Sequence, residues 1–306
     1  MNTLLFRRAL AAAAAAAALL GATPAHAALN IFACEPEWGA LAKELAGDKG
    51  SIYVATTALQ DPHRIEARPS LIARARSADL MVCTGAELEI GWAPLLQSQS
   101  GNSKIQPGQP GHFEAAMQVP LIEVPTRVDR SMGDVHPAGN PHLHLDPSNI
   151  ARVATALGER MARLDHGEAA YYRDRTKSFL DRWQQATVRW QNEGAPLKGM
   201  PVVVYHKDSS YLVKWLGMRE VGSLEPKPGL PPTTAHLSDL LAQLSRDPAK
   251  AVMQSAYNDP RPAEFIAQRA KIPAVLLPYT VGGTEKAKDL FGLYDDTIAR
   301  LLAAQK

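Results

Sequence analysis

Cysteine and long hydrophobic runs are scarce in this sequence, and both absences restrict what the protein can be. Only two cysteines occur among 306 residues, Cys34 and Cys83. They are too few and too far apart for a cysteine-based zinc site. Beyond the first 27 residues, no stretch approaches the roughly 20 consecutive apolar residues of a transmembrane helix. We therefore expect the remainder, residues 28–306, to fold as a soluble protein.

A surplus of charge of either sign is also missing. The sequence has 33 Lys and Arg against 31 Asp and Glu, and two of the basic residues, Arg7 and Arg8, lie in its first 27 residues. Nucleic acids and anionic lipid surfaces are usually held by a basic face, which a chain of balanced charge does not supply. No nucleic acid partner is therefore expected, and small ligands and protein partners remain.

The first 27 residues have the composition of a secretory signal. Arg7 and Arg8 precede an alanine- and leucine-rich run that ends at Leu20, and Ala25-His26-Ala27 forms a small-residue cleavage site. Cleavage after Ala27 leaves no cysteine at the new amino terminus, so a lipid anchor has no attachment point there. The predicted location is the periplasm.

The two cysteines have two possible states in that compartment. Cys34 and Cys83 each lie near the end of an apolar run, and in an oxidising environment they could pair as a disulfide. Two buried thiols that behave as small hydrophobic residues are the alternative. The sequence does not decide between these states.

Short β-prone runs alternate with helical segments in two halves of the chain, which is typical of parallel sheets. The predicted strands are Ala28 to Ala33, Ser51 to Ala55, Asp79 to Cys83, Val119 to Val124, Pro201 to Tyr205, Met218 to Gly222, Ala251 to Gln254 and Ala274 to Leu277. The predicted fold class is α/β, with two Rossmann-like lobes joined by a long helix. Its predicted parts are residues 28–145, 146–195 and 196–306.

The predicted linking segment has clear helix signals. It begins at Asp146-Pro147, an N-cap acid followed by proline in the first turn, and apolar residues then recur at the spacing of one buried helical face. Asp165-His166-Gly167 interrupts this pattern. Either one kinked helix or two successive helices therefore join the lobes, a connection that favours modest motion on binding.

Three histidines lie where open α/β sheets bind ligands, beyond the carboxyl ends of strands. His206 ends the strand from Pro201, His63 follows the second predicted strand, and His142 lies in the proline-rich connection before the linking segment. Imidazole is the commonest protein metal ligand and suits zinc. One metal ion is therefore predicted in the cleft, with two ligands from the first lobe and one from the second.

Three short motifs surround these histidines and occur in a specific order. They are Asp61-Pro62-His63 with Arg68-Pro69-Ser70, Asn140-Pro141-His142-Leu143-His144-Leu145-Asp146-Pro147, and Val204-Tyr205-His206-Lys207 with Tyr211-Leu212. In these motifs the chain resembles the periplasmic metal-binding component of bacterial zinc and manganese ABC importers, whose two lobes are joined by a long helix. The resemblance implies that His63, His142 and His206 hold the metal, and that a monomer delivers it to a membrane permease.

The resemblance leaves the fourth metal ligand open. Many members of that family place Asp or Glu directly after the last strand of the second lobe, where this chain has Leu277-Pro278-Tyr279-Thr280-Val281 and no carboxylate. Water or Asp61 is the preferred substitute, and Glu225 or Asp295 could also complete a tetrahedron. Imidazoles with one weak oxygen ligand favour Zn(II) over Mn(II), which suits harder oxygen ligands.

Other histidines have weaker claims to the metal. His144 alternates with His142, so the two rings are expected to point to different faces. The resemblance assigns the ligand to His142 and leaves His144 to line the cleft or to bind a carboxylate. His112 and His136 lie in the Gly- and Pro-rich stretch before Pro141, where some zinc-binding relatives carry a long histidine tract that gathers metal. This chain has only two separated histidines there, so we expect a solvated loop.

An exported zinc hydrolase is the alternative function, because three histidines and a metal-bound water would also suit hydrolysis. No HExxH helix occurs, however, and Glu66, three residues after His63, lies between Arg64 and Arg68. A binder of sugars or amino acids would use aromatic and charged side chains in place of imidazoles. The importer component is therefore the preferred hypothesis, and the protein is not predicted to be an enzyme.

Overall fold

Two parallel sheets of four strands each form the centre of the molecule. The computed structural model describes residues 28–129 and 132–305, so the predicted signal segment lies outside the described residues. The strands are β1 (Leu29–Ala33), β2 (Gly50–Val54), β3 (Leu80–Cys83), β4 (His112–Glu114), β5 (Pro201–Val204), β6 (Arg219–Ser223), β7 (Ala251–Ser255) and β8 (Ala274–Leu277). Their order is β2-β1-β3-β4 in one sheet and β6-β5-β7-β8 in the other. The predicted α/β class with two parallel sheets is confirmed.

Helices cover both sheets and connect them. The helices are α1 (Pro36–Ala46), α2 (Pro69–Arg76), α3 (Ala93–Ser100), α4 (Pro147–Leu164), α5 (Ala169–Gly194), α6 (Ser210–Leu216), α7 (Thr234–Leu244), α8 (Pro260–Ala270) and α9 (Leu290–Ala304). Several of them begin with a proline in the first turn, where its missing N–H is not needed. Within the described ranges, no helix is long and apolar enough to cross a membrane.

The linking segment consists of two successive helices, α4 and α5, which pack against each other. Helix α4 begins where the Asp146 carboxylate accepts a hydrogen bond from the Ser148 amide. Helix α5 contacts α1 beside the first sheet and α9 beside the second. One buried apolar cluster includes residues from both sheets and both linking helices. The two sheets therefore share a continuous core, which supports the expected restriction of lobe motion.

One predicted strand was wrong. The fourth strand of the first sheet is β4, which pairs with β3 from Met81 opposite His112 to Cys83 opposite Glu114, and residues 119–124 are irregular. Three residues at a sheet edge are too few to show a periodic pattern. The Ile122 carbonyl instead accepts a hydrogen bond from the Asn140 amide at 2.8 Å, so this β-prone run contacts the connection before α4.

A disulfide joins the two cysteines. Cys34 follows β1 and Cys83 ends the neighbouring β3; their Cα atoms are 4.8 Å apart, and both side chains are buried. Of the two states that the sequence allows, the structure has the pair. The bond closes a loop with a sequence separation of 49 residues, and this loop contains β2 and His63.

Removing the disulfide should destabilise the protein more than it affects the metal site. For the double variant C34A/C83A we expect the free energy of unfolding to fall by about 2–4 kcal/mol, because the unfolded chain regains the entropy of an open loop. Urea unfolding of both proteins without metal measures this, with reduced wild-type protein as the control. An unchanged free energy of unfolding would contradict the expectation.

Candidate metal site

The structure brings the three predicted histidines together. One ring nitrogen of each of His63, His142 and His206 lies within 4.8 Å of the others. The distances between their ring centroids are 5.3, 5.4 and 5.7 Å. His142 and His206 are buried, and His63 is partly buried. Three convergent imidazoles form a donor set that suits Zn(II) and similar transition metals.

Local backbone features position each of these histidines at the edge of a sheet. His206 directly follows β5 in an extended conformation. His63 lies in a turn after β2, where its amide donates to the Asp61 carboxylate at 3.0 Å. The amide of His142 donates to the side chain of Asn140 at 2.9 Å, two residues earlier. His63 and His142 are thus held by turns that short side-chain acceptors close, whereas His206 is held by the end of its strand.

Each histidine has a hydrogen-bonding partner at Nδ1, so Nε2 is the nitrogen at which a metal ion would bind. Nδ1 of His63 lies 2.8 Å from the Asp61 carboxylate, and Nδ1 of His206 lies 2.6 Å from the Glu225 carboxylate. A group of this kind beside Nδ1 orients an imidazole and raises its basicity as a metal ligand. Two of the predicted alternative ligands thus bind the histidines themselves.

The third histidine gives the clearest sign of an absent ligand. Nδ1 of His142 lies 2.9 Å from the hydroxyl of Tyr279, whereas its Nε2 is buried and has no hydrogen-bond partner within the described part of the chain. A buried polar nitrogen without a partner is unfavourable, so native structures rarely contain one without a reason. A metal ion between the three rings would provide that partner.

The pKa values of His142 and His206 are shifted in opposite directions. Burial lowers the pKa of His142 well below its usual value, and the neighbouring His63 and His206 add to the effect. Burial also acts against a charge on His206, but its hydrogen bond to Glu225 and the charge of Asp208 prevail and raise its pKa. The lone pair of His142 is therefore available to a metal, while negative charge surrounds His206.

Tyr279 occupies the position where the resembling family often has a carboxylate. It lies two residues after β8, is buried, and has a left-handed backbone with φ of 63°. Its hydroxyl contacts His142, and its carbonyl accepts a hydrogen bond from Nε2 of His144 at 2.9 Å. The missing carboxylate is thus replaced by a neutral group that orients a histidine, a role that the sequence analysis missed.

The other predicted residues lie outside the group of convergent nitrogens. His144 is buried, and its Nδ1 lies 3.2 Å from the Glu37 carboxylate, which is one of the two roles expected for it. Asp295 lies on α9 and accepts hydrogen bonds from the side chains of Trp190 and Arg189 at 2.6 and 2.7 Å. Because its carboxylate binds the linking helix, Asp295 is removed from the candidate ligands.

A fourth imidazole lies beside the group. Nε2 of His136 is 3.3 Å from Nε2 of His63, and burial, followed by the charges of His63 and His206, lowers the pKa of His136 to about 4. His136 lies in an irregular segment, as expected, but it is half-buried against His63. His112, by contrast, lies on β4, where its ring faces Glu114 at 3.7 Å. In the sequence, only the position of His136, six residues before His142, indicated that it could lie near the other histidines.

Two cavities adjoin the histidines: one of about 220 Å³ is lined by residues that include His63, His206 and Glu225, and one of about 300 Å³ is lined by residues that include His136 and His142. A larger cavity of about 800 Å³ lies at the edge of the first sheet, near Asn30. Within the described ranges, no residue that lines this larger cavity belongs to a group of three side chains placed to hold a metal ion. The chemistry of the lining, rather than the volume, thus identifies the site.

Comparisons with known proteins give the family of the chain. The family model described as ZnuA, zinc-uptake complex component A periplasmic, matches residues 31–304. The high-affinity zinc uptake system protein ZnuA of Paracoccus denitrificans is 23% identical over 298 residues, covering 86% of each chain. The manganese ABC transporter substrate-binding lipoprotein PsaA of Streptococcus mitis is 20% identical over 251 residues, covering 81% of this chain and 79% of its own.

Solved structures show the same fold. A crystal structure of ZnuA superposes with a TM-score of 0.71 at 19% identity, covering 90% of this chain and 99% of that one. The manganese-bound periplasmic metal-binding protein of Candidatus Liberibacter asiaticus has a TM-score of 0.73 at 15% identity and covers 91% and 100% of the two chains. At these identities the likeness concerns the fold.

Substitution of Tyr279 by Phe should weaken zinc binding without unfolding the protein. We expect an affinity about 10- to 100-fold lower, because His142 loses the group that orients its ring. Competition with a chromophoric chelator measures the dissociation constant.

The matched control is Tyr294→Phe, which removes another buried hydroxyl, the one that donates to the His144 carbonyl at 2.6 Å. This control should bind zinc as the wild type does. If Tyr279→Phe also keeps the wild-type affinity, the hydroxyl has no part in orienting the ligand.

Proposed function

Because this chain belongs to the family of periplasmic zinc-uptake components, whose model matches residues 31–304, we propose that it captures Zn(II) at His63, His142 and His206 and delivers it to an ABC importer. Members of this family are solute-binding proteins rather than enzymes. The observation that carries the proposal is the buried, unpartnered Nε2 of His142 beside two further imidazoles. The exported hydrolase, our alternative, has no support in the comparisons.

The choice of Zn(II) over Mn(II) rests on the donor atoms. Relatives are named for both zinc and manganese uptake, so their names do not select the metal. The convergent ligands here are ring nitrogens, and the carboxylates of Asp61 and Glu225 lie behind them, at Nδ1 of His63 and His206. Nitrogen ligands suit zinc, whereas manganese prefers oxygen.

The position of the ligands suits capture followed by release. In the proposed division, residues 28–145 supply His63 and His142, and residues 196–306 supply His206, with residues 146–195 between them. An ion bound by all three holds the two lobes together. Separation of the lobes would remove at least one ligand, so a partner that opens the cleft would weaken binding and accept the ion.

We further propose that the mature protein acts in the periplasm as a monomer and docks on a membrane permease. The family description names a periplasmic component, and the manganese relatives are named as lipoproteins of ABC transporters. Cleavage after Ala27 would release the protein from its signal, and no cysteine stands there to carry a lipid.

Single substitutions of the three histidines test the proposed function. The mature wild-type protein should bind one zinc ion per chain, and His63→Ala, His142→Ala and His206→Ala should each bind at least about 100-fold more weakly, because a ligand is lost outright. Isothermal titration with a competing chelator measures both stoichiometry and affinity, and the same titration with Mn(II) should show weaker binding.

His166→Ala is the matched control, since this histidine is exposed at the break between α4 and α5. It should bind zinc as the wild type does. Undiminished one-to-one binding in all three site variants would refute the proposed function.

A further inference from the structure

We infer that His136 is the fourth ligand of the bound ion, so that four imidazoles surround it and no carboxylate is needed. This inference rests on the proposed function, because it concerns the same ion. It assigns a role to the connection between β4 and α4, which crosses the cleft. Three observations support the assignment: the distance between ring nitrogens of His63 and His136, the anchoring of this connection, and the groups that contact the His136 ring.

The distance between two ring nitrogens matches a shared metal. Nε2 of His63 and Nε2 of His136 are 3.3 Å apart. In a tetrahedral zinc site with Zn–N bonds of about 2.0–2.1 Å, neighbouring nitrogens are about 3.3–3.4 Å apart. Between neutral imidazoles the same spacing also allows one N–H···N hydrogen bond. An ion that binds both nitrogens would take the place of that bond with little change in their separation.

The segment that carries His136 is anchored to the second half of the chain. The amide of Asp134 donates to the Pro228 carbonyl at 2.8 Å, and Gly133, with φ of 81°, lies so close to that carbonyl that a side chain would collide with it. On the other side, the Gly139 amide donates to the His136 carbonyl at 3.1 Å. The ring is therefore carried by a segment that is anchored at Asp134 and closed by a local turn at Gly139.

His136 also has the kind of partner that the three other rings have. The backbone of Ala86 lies beside the ring of His136, and His63, His142 and His206 contact Asp61, Tyr279 and Glu225. Ala86 has a left-handed backbone with φ of 51°, and Glu87 follows it with φ of 66°. Such conformations are uncommon outside glycine and often mark functional sites. This turn therefore places a backbone group where it orients His136.

The tetrahedron is incomplete in the present arrangement. The ring of His136 is 6.4 Å from that of His142, whereas the three other rings are 5.3 to 5.7 Å apart, and the group of nitrogens within 4.8 Å excludes it. The His136 ring would have to move toward His142 and His206 to close the set. Metal binding should therefore draw this ring inward.

Four imidazoles would explain why no carboxylate follows β8. An ion with four nitrogen ligands needs no oxygen from Tyr279, and its positive charge is offset by Asp61 and Glu225, which contact His63 and His206 from behind. The fourth nitrogen also increases the preference for Zn(II) over Mn(II). His136 thus acts as a residue that determines metal specificity.

X-ray absorption spectroscopy of the zinc-loaded protein tests the inference directly, because it counts imidazole ligands. The wild type should show four, and His136→Ala should show three with one oxygen from water. The affinity of His136→Ala for zinc should fall roughly 10- to 100-fold, while its affinity for Mn(II) changes less. The stoichiometry of one zinc per chain should persist.

Two further variants make the result specific. His112→Ala is the matched control, since this histidine lies in the same proline-rich region but faces Glu114, and it should keep four imidazoles. His136→Asp should restore a fourth protein ligand through oxygen and shift the preference toward Mn(II). Three imidazoles in the wild type, with unchanged zinc affinity in His136→Ala, would overturn the inference and leave the proposed function intact. Failure of the wild type to bind zinc would overturn both.

Discussion

The buried contact between Tyr279 and residues 142–144 is the constraint on which the site depends. One residue supplies a hydroxyl to His142 and a carbonyl to His144, and its ring packs edge-on against both imidazoles. Because Tyr279 follows the last strand of the second sheet, while His142 precedes the first linking helix, this contact joins the two halves of the chain directly beneath the ligands. A shift of either half would move His142.

A second layer of polar groups holds that contact in place. The Glu37 carboxylate, on α1, binds both His144 and the hydroxyl of Thr280, the residue after Tyr279. All of these side chains are buried, and buried polar contacts of this kind are costly to break because no water replaces the lost partner. The floor of the cleft is therefore a rigid part of the molecule. Movement that admits or releases an ion is more easily assigned to the rim, where His63 and His136 lie.

The sequence was sufficient to predict those site residues whose position depends on the neighbouring strand or turn. His63, His142 and His206 could be predicted because each follows a strand or a proline turn, and parallel sheets bind ligands at such positions. The position of Tyr279 and the proposed role of His136 could not be predicted, since the first depends on a left-handed backbone and the second on the path of a long connection. The misplaced fourth strand has the same cause, because tertiary contacts of residues 119–124 outweighed their β propensity.

A metal carrier must select its metal and must also compensate the positive charge of the ion. A carboxylate ligand would do both, whereas the proposed site assigns the two tasks to different groups. Metal selectivity depends on the atoms that touch the ion, and in the proposed site these are ring nitrogens, which suit zinc better than manganese. Compensation of the positive charge depends on the total charge nearby, and in the proposed site Asp61 and Glu225 would provide it through His63 and His206. Because these carboxylates are tied to ring nitrogens on opposite sides of the cleft, opening the cleft would separate both the ligands and their countercharges. Binding strength would therefore fall steeply with a small displacement, which is what delivery to a partner requires.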